Sequence, residues 1–223
     1  MDPESPSLPD FERLERALEA EDASRLGWLG ARPTKVKAAL AAIAALAIPA
    51  LVFLVMPRAD LPDYPAARLV LDALVLVAPA VLVLVLLLRP VYRPAPHPGW
   101  RVASILAVCV GALVIANLPH AHGNSMSMVG DGPHDTWPLA MGCLSFGLFA
   151  ALPSALALLT LTRGHRPELA LAAASAMGVL AVQAQCPIIT HKHMFLGHTT
   201  IALVGVFLGL VAWFAALALG RRD

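Results

Sequence analysis

Charge is scarce in this chain of 223 residues: 14% of its residues are charged, against 58% hydrophobic. A soluble domain is about 25% charged and about 45–50% apolar. A water-exposed surface of ordinary composition is therefore excluded, and a disordered chain more firmly still. Neither sign dominates, because 16 Lys and Arg and 15 Asp and Glu leave a formal net charge of +1. That gives no global basic field of the kind direct nucleic-acid binding needs. Cysteine is scarce as well, at three, and the chain contains neither an HExxH motif nor paired CxxC motifs.

What is present is a charged appendage on an apolar body. Residues 1–37 hold 8 acidic and 6 basic residues, and the remaining 186 residues share 17 charges. An α-helix needs about 20 apolar residues to cross a hydrocarbon core of about 30 Å. Six runs meet or approach that length: 38–56, 69–88, 102–118, 138–160, 168–185 and 199–219. The fold class read from these is all-α: a six-helix transmembrane bundle spanning 38–219, with a short amphipathic segment before it and residues 220–223 after it. The first apolar run follows an acidic, helix-like stretch, so no cleaved signal peptide is expected.

Positive charge near span ends sets topology. With both termini cytoplasmic, 13 of the 16 Lys and Arg lie inside, leaving Arg58, Arg68 and Lys192 outside. Trp28, Trp100, Trp137 and Trp213 then fall near membrane boundaries, where indole rings are favoured. Pro49, Pro79 and Pro153 lie within spans and are expected to kink them. Gly205 and Gly209 form a GxxxG pair, and the alanine-rich spans one and five offer similarly close packing. Asp72, four residues into span two, is the one acidic residue well inside an apolar run. It reads either as structural, hydrated or neutralised near the outer interface, or as a transport residue.

The tail has helix-start chemistry, with Ser7 as N-cap, Pro9 in the first turn, and Asp10 and Glu12 at the positive end of the dipole. Phe11, Leu14 and Leu18 recur at helical spacing among Glu12, Glu15 and Glu19. A helix lying on an anionic membrane wants a basic polar face, and this one is acidic. Docking into a partner's groove, packing within the chain and a solvated tail remain open. An acidic amphipathic helix suits a basic, nucleic-acid-binding partner.

On the proposed topology six of the eight histidines lie outside: His120, His122, His134, His191, His193 and His198. Met126, Met128 and Met194 join them. Imidazole and thioether ligate zinc or copper, methionine favouring Cu(I). If residues 191–198 extend span six outward as a regular helix, His191, Met194 and His198 share a face. The candidate ligands are thus His120, His122, His191, His193, His198 and Met194. Interface-seeking histidines and proton sensing are the competing readings. Cys109 reads as a small mid-span hydrophobe. Cys143 and Cys186 fall at similar depth near the outside, where they are able to form a disulfide or a redox-sensing pair.

Cys186-Pro187 closing span five, followed by His191-Lys192-His193-Met194-Phe195-Leu196-Gly197-His198 entering span six, resembles the C-terminal signature of bacterial six-span membrane anti-sigma factors. These are the NrsF-type and CarR-like proteins, which restrain extracytoplasmic-function sigma factors. The overall plan, a short cytoplasmic segment and then six spans, is similar to theirs. The resemblance implies a protein that holds a sigma factor at the inner membrane through residues 8–29. It would release that partner on an oxidative or metal stimulus, or, in the CarR-like case, on light-generated reactive oxygen that switches on carotenoid genes. It further implies Cys143 and Cys186 as the outer sensing pair, Cys143 being matched by depth alone. Zinc-binding anti-sigma domains carry a His-Cys-Cys cluster in their cytoplasmic part, and residues 1–37 contain neither His nor Cys. The implied protein is not an enzyme, and its partners are a sigma factor and the bilayer.

A second hypothesis is a metal-binding transporter or membrane metalloenzyme using the outer histidines with Asp72. It needs polar residues along a path, and beyond Asp72 the spans supply mainly Ser104, Asn117, Ser145, Ser154, Ser175 and Gln183.

Overall fold

Proline marks where most of the helices begin. In the computed structural model, which describes residues 33–59, 61–89, 97–117, 137–162, 166–188 and 190–218, helix α1 (Thr34–Val55) follows Pro33 and α2 (Ala66–Leu87) follows Pro65. Helix α3 (Pro98–Asn117) and α5 (Pro167–Gln185) start on proline, and α4 (Trp137–Leu161) has Pro138 as its second residue. Proline suits these positions because its missing N–H would have no partner in the first turn. Helix α6 (Thr200–Ala218) is preceded without a break by a π-helical turn, Met194–Thr199, and a single α-turn, His191–His193. Six helices are long and apolar enough to cross a membrane, and no strand occurs among the described residues. The chain is an all-helical, multi-pass membrane protein. The tail residues Phe11, Glu12, Leu14, Glu15, Leu18 and Glu19 lie outside the described residues, as do His120 and His122.

Four helix starts lie three or more residues before the sequence reading. Helix α1 begins at Thr34 instead of 38, α2 at Ala66 instead of 69, α3 at Pro98 instead of 102, and the helix containing span six at His191 instead of 199. Hydropathy counts Arg101, Lys192, His193 and His198 as loop-like. In the structure Arg101 lies near Glu168, and His193 and His198 are buried.

The bundle is built around α5, which packs against each of the other five helices. In its most apolar 18 residues 83% are buried, compared with 22% in α1. Yet α5 is the least hydropathic of the six spans. Lipid tails are as apolar as leucine, so burying large side chains between spans gains little there. Small residues that allow close backbone approach decide which helix sits at the centre. Ala170, Ala172, Ala173, Ala174, Ala176 and Ala181 line α5, while Leu54, Val85, Phe149 and Phe207 point outward from other helices. The Gly205–Gly209 pair of α6 lies against α5 as expected. A Cβ at Gly205 would collide with Ser175, and one at Gly209 would come within 3.0 Å of the Glu168 Cα.

The internal prolines leave carbonyls without their usual donor four residues on. Pro49 frees the carbonyl of Ala45, and the Ser154 hydroxyl of α4 donates to the Ala44 and Ala45 carbonyls at 3.0 and 3.4 Å. Pro79 frees the carbonyl of Val75, which Gly111 of α3 approaches so closely that a Cβ there would be 2.7 Å from the oxygen. At Pro49 and Pro79 a neighbouring helix thus packs over the freed carbonyl, as bundle packing in a membrane requires.

At one end of the bundle, where α2 closes and α3 and α5 start, Arg101 lies 3.7 Å from Glu168 and Arg166 donates to the Leu86 carbonyl at 2.6 Å. The site occupies the other end.

Candidate metal centre

Cys186 is the first residue beyond α5, its N–H still donating to the Val182 carbonyl at 2.8 Å. A residue before proline is disfavoured in the α region, and Cys186 adopts an extended conformation (ψ 119°). Pro187 therefore ends the helix at the cysteine. The chain reverses within a few residues and re-enters a helix at His191, where the Met194 N–H donates to Thr190 at 2.9 Å.

The π-turn decides which histidines meet. In an α-helix, residues five apart are rotated by about 140° from each other, at about 100° per residue. Bonding over i→i+5 widens the turn and returns such residues toward the same side. His193 and His198 are five apart, His193 immediately preceding this turn and His198 lying within it. Their rings meet edge to face with centroids 5.5 Å apart. The regular helix expected to align His191, Met194 and His198 does not form; the structure pairs His193 with His198 instead. Met194 is buried in the apolar core, and the side chain of His191 lies outside the described residues.

Helix α4 completes the group. Cys143 Sγ donates to Cys186 Sγ at 3.5 Å, and Cys186 Sγ lies 3.3 Å from His193 Nε2. Ligand atoms of Cys143, Cys186, His193 and His198 all fall within 4.8 Å of one another. Cys186, His193 and His198 are buried, and Cys143 is partly so. The two cysteines expected to share a depth do meet, and two of the candidate ligand histidines join them. The hydrogen bond from Cys143 lowers the Cys186 thiol from its ordinary pKa, burial opposes this, and His193 lowers it further.

These residues fit a metal ion. A tetrahedral zinc with bonds of about 2.0–2.3 Å places its ligand atoms about 3.3–3.8 Å apart, so a group already within 4.8 Å needs only a small contraction. Two thiols and two imidazoles are a common donor set for such an ion. His193 Nδ1 and His198 Nε2 are buried with no hydrogen-bond partner, and orphaned buried nitrogens of this kind call for one.

Behind the cluster runs a chain of polar groups. His198 Nδ1 is 3.1 Å from Gln183 Oε1, and Gln183 Nε2 donates to Asp72 Oδ2 at 3.1 Å. Tyr64 donates to the same oxygen at 2.6 Å, and Arg68 Nε lies 2.7 Å from Asp72 Oδ1. Asp72 is 1% exposed, and Arg68 balances its charge. Burial, followed by the hydrogen bond to Asp72, pushes the Tyr64 phenol up to about 12. Arg58 is buried with its guanidinium 4.0 Å from the Tyr64 ring, and it donates to the Gln183 carbonyl at 3.3 Å. Arg68 also donates to the Ile115 carbonyl, at 3.4 Å.

Sequence reasoning treated Arg58 and Arg68 as topology charges and gave Tyr64 no role. The signals available were the i, i+4 spacing of Arg68 and Asp72 and the isolation of Gln183 within an apolar span. Comparison of the chain with protein-family models, with curated proteins and with solved structures finds no match.

Proposed function

We propose that the protein is a membrane-bound anti-sigma factor of the NrsF-type and CarR-like kind, with the four-residue cluster as its sensing element. The observation that carries this reading is the cluster itself. Three of its members, Cys186, His193 and His198, come from the stretch that resembles the anti-sigma signature, and Cys143 closes the set. Zinc or copper is the ion suited to these donors. On the orientation set by the positive charges, the cluster faces the extracytoplasmic side and the tail faces the cytoplasm.

The chemistry of release follows from the two sulfurs. Hydrogen peroxide takes two electrons from the two thiols, the S–S bond forms as the O–O bond breaks, and the two departing protons leave with the reduced oxygens as two waters. A disulfide is a far poorer ligand than two thiolates, so oxidation and metal loss are linked. The change at the cluster would then free the sigma factor held by Phe11, Leu14 and Leu18 with Glu12, Glu15 and Glu19.

The buried run from Asp72 to His198 favours the transporter or metalloenzyme reading in part. Against it, the cluster supplies four protein ligands, whereas catalytic zinc keeps a position open for water or substrate. The Ser104 and Ser175 hydroxyls also bond to carbonyls of their own helices at 2.9 Å each, so they do not extend a polar path.

A pull-down from membranes tests the proposal. Recovery of a small sigma factor with the full chain, and not with a form lacking residues 1–32, is the expected result. Recovery that is indifferent to the tail, or no sigma factor at all, would sink it.

A further inference from the structure

We infer that Asp72 and Gln183 form an orienting layer that fixes His198 in its Nδ1–H form and turns Nε2 toward the two sulfurs as a ready ligand. This rests on reading the cluster as a metal centre, but its structural core stands on hydrogen-bond logic alone.

A carboxylate paired with a guanidinium only accepts hydrogen bonds. Asp72 sits 2.7 Å from Arg68 and also accepts from Tyr64. The Gln183 atom facing it at 3.1 Å must therefore be the amide nitrogen, which turns the amide oxygen toward His198. An amide oxygen only accepts, so the imidazole nitrogen 3.1 Å away, Nδ1, must carry a proton. For the neutral ring the lone pair is then on Nε2, the atom that is buried without a hydrogen-bond partner. Each orientation forces the next, from the ion pair to the ring.

The elements holding this layer are fixed independently of any ion. Gln183 is 3% exposed, and its backbone carbonyl accepts from Arg58. The Arg58 N–H donates to the next carbonyl, Ala184, at 3.0 Å. The last turn of α5 is thus clamped by the segment that follows α1, and the amide has little freedom to rotate away. Outer residues that orient a metal-binding histidine typically change metal affinity by about 10–100-fold. Asp72 and Gln183 are accordingly positioning residues.

The experiment uses the full chain in detergent micelles with nitrogen-15 in its histidines. Long-range nitrogen–proton correlation reads the tautomer, and a His198→Gln variant identifies the signal. Without metal, His198 is expected in the Nδ1–H form in the wild type, and to lose that preference in Gln183→Leu. Zinc competition against a chelator is expected to show affinity about 10–100-fold weaker in Gln183→Leu. The double variant Asp72→Asn with Gln183→Glu exchanges acid and amide along the chain while keeping the charge. It is expected to restore both the tautomer and much of the affinity, which a merely structural role would not produce.

A wild-type His198 in the Nε2–H form overturns the inference even if Gln183→Leu does not fold. So does a Gln183→Leu variant that keeps both tautomer and affinity, and in that case the metal centre still stands. A wild type that binds no zinc but shows the Gln183-dependent tautomer removes the metal centre and upholds the orienting layer.

Discussion

The two ends of this bundle use similar polar chemistry for different purposes. Where α2 closes and α3 and α5 start, Arg101 and Glu168 approach to 3.7 Å, and Arg166 caps the end of α2 through the Leu86 carbonyl. These contacts pin helix ends together. At the other end Asp72 is reached by Tyr64, Arg68 and Gln183 within 2.6–3.1 Å, and the run continues through His198 to two cysteines and a second histidine. Pinning alone does not need so many linked groups, since buried ion pairs rarely repay their desolvation. The difference lies in where the polar run leads, for at this end it reaches a group of four metal-type donors.

The sharpest test of that contrast is to remove a ligand. Cys186→Ser in the purified full chain is expected to lose bound zinc altogether, a greater loss than the roughly 10–100-fold of an outer residue. Cys109→Ala, in the apolar core of α3, is expected to leave metal content unchanged. Elemental analysis of the two proteins decides the point, and equal zinc in both would dissolve the distinction between the cluster and ordinary buried cysteine.

The next effect separates the two ion pairs. Arg68→Met leaves Asp72 as a buried carboxylate without its 2.7 Å partner, and breaking such a pair typically costs about 3–5 kcal/mol. Arg101→Met is expected to cost less, because that pair is longer, at 3.7 Å. Unfolding of both variants in the same detergent measures the difference, and equal losses would mean that the ends are not unlike in energy.

The smallest effect is spectroscopic. The chain has two tyrosines, Tyr64 and Tyr92. In a Tyr92→Phe background the remaining phenol is expected to ionise near pH 12 and not near its ordinary value. The neutral phenol is favoured in the folded state, so this group's stabilisation is complete below about pH 10. It fades as pH rises through the folded value of about 12. Ultraviolet absorbance follows it, and ionisation near pH 10 would mean that Tyr64 does not donate to an ionised Asp72.

Much of the fold was legible because a membrane simplifies the code. Length and apolarity of six runs are local properties, summed over a window, and five of the helices start within four residues of them, the helix of span six starting eight residues earlier. The GxxxG pair on α6 was legible too, since small residues four positions apart imply close packing whatever the partner. The central place of α5 was less so: spans one and five are both alanine-rich, and only the packing shows that the alanines of α5 let five helices approach.

The site was half legible. Histidines and cysteines concentrated in a few segments pointed to ligand chemistry, and Cys143 was matched to Cys186 by depth. Regular helical spacing then gave His191, Met194 and His198 as a face. The π-turn is not visible in side-chain periodicity, because it is a change of hydrogen-bond register held by packing.

The sequence by itself determined the number of spans, the segments rich in metal-type donors, and the stop at Cys186-Pro187. All of these depend on residues adjacent in the chain. Only the tertiary structure decided that Cys143 of α4, Cys186 at the end of α5, and His193 and His198 before α6 form one group, and that Asp72 reaches it through Gln183. Hydropathy and spacing act along one helix, whereas a ligand set depends on the depth, rotation and register of several helices at once. That is settled by close packing between them.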